Sequence, residues 1–141
     1  MSAAAPALVL LAAGASTRLG QPKALAALRD GPGGSALELL LAAGAALGDA
    51  RPLVVAGRDA ALLEARLSAG VELAVNERWA EGRTGSVQLA QALRPGRDLC
   101  LAPVDVPLVP SAVFAALARE WARQERPARG WLAPYVLAGT T

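Results

Sequence analysis

Small residues followed by two cations, between Ala12 and Lys23, form the part of the sequence best suited to chemistry. The run reads A-A-G-A-S-T-R-L-G-Q-P-K and follows the apolar residues 8–11. Small side chains leave backbone N–H groups open, and Gly14 permits a positive φ and the close approach of a ligand. Arg18 and Lys23 can neutralise phosphate oxygens. A buried strand that ends in such a loop predicts a triphosphate-binding site.

Other interpretations of this stretch fit the residues less well than the phosphate loop. It contains neither G-x-x-x-x-G-K-[ST] nor G-x-G-x-x-G, which counts against a P-loop NTPase and against an NAD-binding Rossmann domain. A secretory signal peptide would carry a cation before the apolar run, whereas the first cation here is Arg18, beyond it. From this stretch alone, a buried strand followed by a glycine-rich turn without a binding role remains an alternative interpretation.

A second candidate stretch, residues 76–87, precedes a helix that is predicted to begin at Gly85 or Ser86. The N-terminus of that helix would offer the N–H groups of these two residues to an anion or a carbonyl. Gly82 and Ser86 are predicted to form part of a pocket wall. For Trp79 a packed core position is the favoured interpretation, because large aromatic side chains are usually buried.

The third candidate is Asp105, which follows a predicted strand at 98–102 and lies between Pro103 and Pro107. A carboxylate beside a buried strand is costly unless it is solvated, hydrogen-bonded or metal-bound. Next to a triphosphate it would suit Mg²⁺. The alternative is that Asp105 caps the following helix, but Ser111 is better placed for that role.

The elements that must position these residues alternate between strands and helices. After the strand that ends at Ala12, strands are predicted at 51–57, 71–75 and 98–102, with a further one at 131–133. Helices are predicted at 35–47, with Ser35 and Glu38 as a capping box, at 60–69 after Asp59, from 85 or 86 to 93, and at 111–124. This alternation predicts a mostly parallel sheet with helices on both faces, and ligands in such sheets bind at the carboxyl ends of the strands.

Composition sets the broad class of the protein. The length of 141 residues favours a single domain, 1–141. Because 54% of the residues are hydrophobic but only 4% are aromatic, we expect a core made mostly of Ala, Leu and Val. A net charge of +2 suits small anions better than nucleic acid, and no apolar run is long enough for a membrane span. The single Cys100 predicts a reduced, buried thiol in the cytoplasm, and the absence of His excludes His triads and His metal sites.

Three segments resemble one known family. The residues Gly14, Ser16, Arg18, Gly20, Pro22 and Lys23 resemble the L-A-A-G-x-S-x-R-x-G-x-P-K signature of the MobA-like nucleotidyltransferases, and most closely that of the molybdenum cofactor cytidylyltransferase branch. Asn76, Trp79, Gly82 and Ser86 are similar to the family's N-x-x-W-x-x-G-x-x-x-S segment, and Asp105 with Pro107 is similar to its Asp-x-Pro.

The resemblance implies a three-layer α/β/α fold with a Rossmann-like sheet, of the kind found in nucleotide-diphospho-sugar transferases. It implies Mg²⁺-dependent transfer of a nucleotidyl group from an NTP to a phosphorylated acceptor such as molybdopterin, with release of pyrophosphate. Ala13 favours CTP over GTP, Asp105 would bind the metal, and Arg18 and Lys23 would share the catalytic role with it. The implied nucleotide-binding residues are Leu11, Ala12, Ala13, Gly14, Ala15, Ser16, Arg18, Lys23, Gly57, Asn76, Gly82 and Ser86.

The sequence also departs from the family pattern. Members continue past the position of Thr141 with a Gly-His-Pro stretch and a second acidic metal ligand, and this sequence contains no His. We therefore expect weak Mg·NTP binding, slow or absent transfer, and an unfinished sheet edge that a second copy could cover as a homodimer. The alternatives are a relative that uses GTP or a sugar-phosphate acceptor, a nucleotide-binding module with little or no turnover, and a regulatory or partner-binding domain.

Overall fold

The computed structural model describes residues 5–14, 34–124 and 130–133. The strands are β1 (Ala7–Ala12), β2 (Leu53–Ala56), β3 (Glu72–Val75) and β4 (Leu99–Pro103). The helices are α1 (Ala36–Gly44), α2 (Ala60–Glu64), α3 (Arg83–Leu93) and α4 (Ser111–Arg123), with short 3-10 helices at Ala45–Leu47 and Trp79–Glu81.

The four strands form one parallel sheet in the order β3-β2-β1-β4. Leu10 of β1 lies opposite Val54 of β2 on one side and Ala102 of β4 on the other. Every residue of β1 and β2 is buried, as expected for strands covered on both faces. The predicted α/β class and parallel sheet are confirmed.

Two apolar layers cover the sheet. On one face Leu8, Leu10 and Val54 pack with side chains from the helical segments before and after the sheet strands, including Leu37, Leu40, Leu47, Leu63 and Phe114. On the other face Val9, Leu11, Leu53 and Val55 pack with Ala90 of α3. Alternate residues of each strand therefore face opposite layers, which gives the predicted arrangement of helix, sheet and helix.

Capping residues set some helix boundaries as predicted. The hydroxyl of Ser35 accepts a hydrogen bond from the backbone N–H of Glu38 at 3.2 Å, so Ser35 caps α1. Gly48 adopts φ of 92° directly after the 3-10 helix that extends α1, and this left-handed residue ends the segment predicted to stop there.

Other boundaries differ from the prediction. Helix α2 ends at Glu64 rather than near residue 69, because residues 65–71 form successive turns that include Gly70 at φ of 91°. Asp59 precedes α2 but makes no capping hydrogen bond. The N-cap of α4 is Pro110 rather than Ser111, and its side chain has no group that could cap. Residues 131–133 form no strand, and Trp131 is exposed.

A polar cluster joins the chain at the amino ends of the strands. The buried carboxylate of Asp49 accepts hydrogen bonds from the backbone N–H of Leu8 at 2.8 Å and of Arg51 at 3.2 Å, and it lies 3.4 Å from Nη2 of Arg97. The same Nη2 donates to the carbonyl of Ala5 at 2.6 Å. The start of β1 is therefore held to the two loops beside it.

Within these described ranges, no helix has both the length and the apolar character that a membrane span requires.

Candidate functional site

The loops that follow the four strands lie at the same edge of the sheet. Because the strands are parallel and in register, the ends of β1, β2 and β3 lie side by side, with Ala12 opposite Ala56 and Ala56 opposite Val75. The end of β4 lies beside that of β1, since Leu11 is opposite Pro103. The three predicted stretches therefore begin at neighbouring positions.

Gly57 is the point of closest packing at this edge. A Cβ atom on Gly57 would lie 2.5 Å from the carbonyl oxygen of Ala13 and 2.7 Å from Cβ of Trp79. No side chain fits there without a shift of the backbone of residue 13 or of the tryptophan. Gly57 thus allows the end of β1 and the loop after β3 to meet.

Gly14 leads from β1 into the loop predicted to bind phosphate. Its backbone is exposed, and apart from its chain neighbours no described residue would lie within 4 Å of a Cβ atom there. Gly14 does not have the positive φ that the sequence suggested, so its contribution is open space rather than a special backbone conformation. Ala15, Ser16, Arg18 and Lys23 lie outside the described residues, as do Gly20 and Pro22.

Asn76 and Ser86 are buried and bonded to each other. Nδ2 of Asn76 donates to Oγ of Ser86 at 3.0 Å, and Oδ1 of Asn76 accepts from the backbone N–H of Arg78 at 3.0 Å. The backbone N–H of Asn76 donates to the carbonyl of Ala56 at 2.7 Å. These bonds fix the loop after β3 to both the end of β2 and helix α3.

Trp79 and Gly82 lie in the same loop but do not have the same environment. Trp79 is half-buried against Gly57 and belongs to neither apolar layer, so the expectation that it is a core residue is wrong. Gly82 is exposed and adopts φ of 111°, a backbone conformation that favours glycine.

The turn at Gly82 makes α3 begin at Arg83, two to three residues earlier than predicted. The N–H groups without a partner inside the helix are therefore those of Gly82, Arg83, Thr84 and Gly85. The N–H of Gly85 remains among them as predicted, whereas that of Ser86 does not.

Asp105 lies in the turn after β4 with about half of its side chain exposed. Its Oδ1 atom is 3.9 Å from Nη2 of Arg83. Neither Asp105 nor Ser111 provides a side-chain cap for α4. Solvation, rather than a capping bond, therefore stabilises this carboxylate.

An exposed carboxylate oxygen fits Mg²⁺, which keeps several waters and is commonly held by one or two carboxylates together with phosphate oxygens. In the described ranges, no group of three or more His, Cys, Asp or Glu side chains is arranged to hold a metal ion. Among the described residues, Asp105 could act as one ligand beside phosphate and water.

Arg83 was not identified from the sequence, although it is the cation next to Gly82 in a stretch already singled out. Its significance depends on its proximity to Asp105, which lies in the loop after another strand. The local pattern of residues 76–87 contains no information on that distance.

A cavity of about 580 Å³ lies elsewhere, along β4 between α3 and α4. Its wall includes Val87, Leu99, Leu117, Trp121 and Trp131. None of the described candidate site residues lines this cavity, so it is distinct from the edge where the strands end.

Comparison with known proteins gives a consistent result. A family model described as the MobA-like NTP transferase domain matches residues 8–134. The crystal structure of Rv0371c from Mycobacterium tuberculosis H37Rv is similar with a TM-score of 0.69 and 28% identity over 88% of this chain and 63% of that chain. A second Rv0371c crystal structure, a complex with manganese, shares the fold with a TM-score of 0.67 and 24% identity, over 86% of this chain and 61% of that chain.

This chain thus spans less than two-thirds of the length of these solved structures. No match was found among curated proteins.

Proposed function

The chain belongs to the MobA-like NTP transferase domain family, and on this basis we propose that it binds a nucleoside triphosphate with Mg²⁺ and transfers the nucleotidyl group to a phosphorylated small molecule. The observation that carries the proposal is the arrangement at one sheet edge. There the parallel register brings the small-residue loop at Gly14 beside the end of β4, which leads to the exposed carboxylate of Asp105.

The reaction needs alignment more than it needs a protein nucleophile. A phosphate oxygen of the acceptor attacks the α-phosphorus, a new P–O bond forms, and the bond to the bridging oxygen breaks as pyrophosphate leaves. Arg18 and Lys23 are proposed to hold the triphosphate and to stabilise the charge on the leaving group. The backbone at Leu11, Ala12, Ala13 and Gly14, with Ala15 and Ser16, is proposed to surround the nucleotide. Gly57 and Gly82 are proposed to contact it from the neighbouring loops.

Asp105 is proposed to hold the metal. When bound there, Mg²⁺ would neutralise the charge of the triphosphate. One of the two Rv0371c crystal structures is a complex with manganese, and Mn²⁺ and Mg²⁺ both prefer oxygen ligands. This chemistry supports a divalent cation without distinguishing between the two.

The finer assignments rest on the resemblance of the motifs. CTP is proposed as the nucleotide because of Ala13, and molybdopterin or a related compound as the acceptor; GTP or a sugar-phosphate acceptor is the alternative. A binding module with little turnover is the second candidate, since the described residues place no group of three metal-ligating side chains together.

The free thiol of Cys100 agrees with a proposed cytoplasmic location. The extent of the family match supports the proposal that residues 1–141 act as one domain.

Calorimetric titration with each of the four NTPs, with and without Mg²⁺, tests the proposal directly. We expect binding that requires Mg²⁺ and is tightest for CTP. In Asp105→Asn the fold should be retained and the Mg²⁺ dependence lost, whereas the control Glu64→Gln, an exposed carboxylate on α2, should behave as the wild type. Absence of binding for every NTP would contradict the nucleotide site, and equal affinity for CTP and GTP would contradict only the base preference.

Lys23 offers an independent test because it is the only lysine in the sequence. Reductive methylation therefore modifies only this side chain and the N-terminal amine. We expect bound Mg·CTP to protect Lys23 but not the N-terminal amine, as measured by mass spectrometry of peptides. Lys23→Ala should weaken nucleotide binding by about 1.5–3 kcal/mol, the range for a hydrogen bond to a charged group. Equal modification of Lys23 with and without nucleotide would contradict its role.

A further inference from the structure

We propose that Arg83 is an internal counter-cation for Asp105, and that it moves from this carboxylate to the phosphate oxygens of the nucleotide when a divalent cation binds Asp105. The inference rests on the proposed function, because it requires a nucleotide and a metal at this edge of the sheet. It assigns a ligand contact to an arginine at a variable position of the segment between Asn76 and Ser86.

The position of the pair relative to the sheet is the first argument. Arg83 follows the loop after β3, and Asp105 follows β4, which are the two outer strands of the described sheet. The strands β2 and β1 end between them. An ion pair of 3.9 Å between these two loops therefore bridges the region into which the loop at Gly14 leads.

The pair is weak enough to exchange. At 3.9 Å the Arg83 and Asp105 atoms are too far apart for a hydrogen bond, and the two side chains are 60% and 52% exposed. The ion pair of Arg94 with Glu72 is shorter and more buried, and it serves as the comparison within the same protein. The Arg94 side chain is only 10% exposed, and its Nη2 atom lies 3.1 Å from Oε1 of Glu72 and donates to the carbonyl of Arg51 at 3.0 Å.

The chemistry of the two groups sets the direction of the exchange. A guanidinium group stays charged at any physiological pH, so a competing cation rather than deprotonation must separate it from the carboxylate. A divalent cation on Asp105 would repel Arg83, and the triphosphate would attract it, because the planar guanidinium group can donate two parallel hydrogen bonds to phosphate. The N–H groups of Arg83, Thr84 and Gly85, which have no acceptor inside the helix, favour an anion at the same place.

A double-mutant cycle distinguishes this exchange from simple relief of the repulsion between the Asp105 carboxylate and the nucleotide. CTP affinity is measured by calorimetry for the wild type, Arg83→Gln, Asp105→Asn and the double variant, in EDTA and in Mg²⁺. In EDTA, where the wild type is expected to bind CTP weakly or not at all, Asp105→Asn should bind CTP at least severalfold more tightly, because Arg83 is released to the phosphates. This gain should disappear in the double variant. In Mg²⁺, Arg83→Gln should weaken binding by about tenfold or more, as expected for loss of a charge-assisted hydrogen bond.

Arg78→Gln is the matched control, since Arg78 is an exposed arginine of the same loop that pairs with Glu81 at 3.7 Å. It removes one positive charge without affecting Asp105, and its effect on CTP affinity should be small. If the gain from Asp105→Asn in EDTA persists in the double variant, only relief of repulsion is at work and the exchange is overturned. If the wild type binds Mg·CTP and Arg83→Gln matches Arg78→Gln, the exchange alone is overturned. If the wild type binds no nucleotide, the proposed function fails and the exchange with it.

Discussion

At the scale of single residues, the Asn76–Ser86 hydrogen bond is more important for stability than any exposed ion pair of the site. Both side chains are almost fully buried, so loss of one partner leaves a polar atom without water to replace it. Exposed pairs such as Arg83 with Asp105 have water as an alternative partner. The first kind of contact fixes the loop after β3, and the second leaves charge available for a ligand.

Ser86→Ala should therefore destabilise the protein by about 1–3 kcal/mol, because Nδ2 of Asn76 loses its buried acceptor. Thr84→Ala is the matched control, since Thr84 is an exposed hydroxyl residue two positions earlier in the same helix. Urea unfolding followed by circular dichroism measures both changes. Equal unfolding midpoints for the two variants would show that the bond does not contribute to stability.

Cys100 gives a prediction about pH. Burial raises the pKa of its thiol from 9.0 to about 11, so the folded state favours the protonated form relative to the unfolded state. Its contribution to stability is complete below pH 9 and is lost as the pH rises towards 11. At a pH below both pKa values, the folded protein should react with iodoacetamide about a hundredfold more slowly than the unfolded chain, since the thiolate is the reacting form.

Cys100→Ala should remove the loss of stability that ionisation of this thiol causes between pH 9 and about pH 11. Denaturant unfolding at several pH values in this range measures the effect. A labelling rate that does not change on unfolding would show that the thiol is not shielded.

At the scale of elements, the approach of β1 to the loop after β3 depends on Gly57. Gly57→Ala should destabilise the protein by about 1–3 kcal/mol, the usual cost of forcing extra atoms into a packed site, because the new Cβ would lie 2.5 Å from the Ala13 carbonyl oxygen. Gly14→Ala is the control, because within the described residues a Cβ atom at that position would contact nothing beyond its chain neighbours within 4 Å. Thermal unfolding of both variants measures the difference, and equal midpoints would contradict this account of the packing.

Apolar runs and capping residues made much of this architecture predictable. The fully buried strands β1 and β2 are short apolar runs, and Ser35 is a recognisable cap. The boundaries that were missed depend on backbone conformations that side-chain patterns do not encode. Gly82 starts α3 early because of its φ of 111°, and turns end α2 before the next glycine.

For the candidate site as well, the sequence indicated some residues but not the contacts between loops. The sequence indicated Asp105 and the loop at Gly14, because each follows an apolar run directly. It did not indicate that Asn76 and Ser86 bond to each other, or that Arg83 lies near Asp105, since both contacts depend on how the loops of different strands come together.

At the scale of the whole molecule, the amino ends and the carboxyl ends of the sheet strands have different environments. At the amino ends, Asp49 and Arg97 join β1 to its neighbouring loops through largely buried bonds. At the carboxyl ends, the charged side chains of Arg83 and Asp105 are exposed. The charged groups at the amino ends are therefore bound within the fold, whereas Arg83 and Asp105 at the carboxyl ends are accessible to solvent.

The outer strands of the sheet differ in how they would meet a second copy of the chain. In the described ranges β4 pairs only with β1; it carries no charged residue, and Leu101 is 42% exposed. The other outer strand, β3, contains Glu72, and a charge on an edge disfavours pairing. We therefore expect a homodimer through β4, in which two copies pair around a two-fold axis. Leu101→Lys should give a monomer in sedimentation velocity, whereas Val75→Lys on β3 should leave the dimer intact. A wild type that stays monomeric at every concentration would contradict pairing through β4.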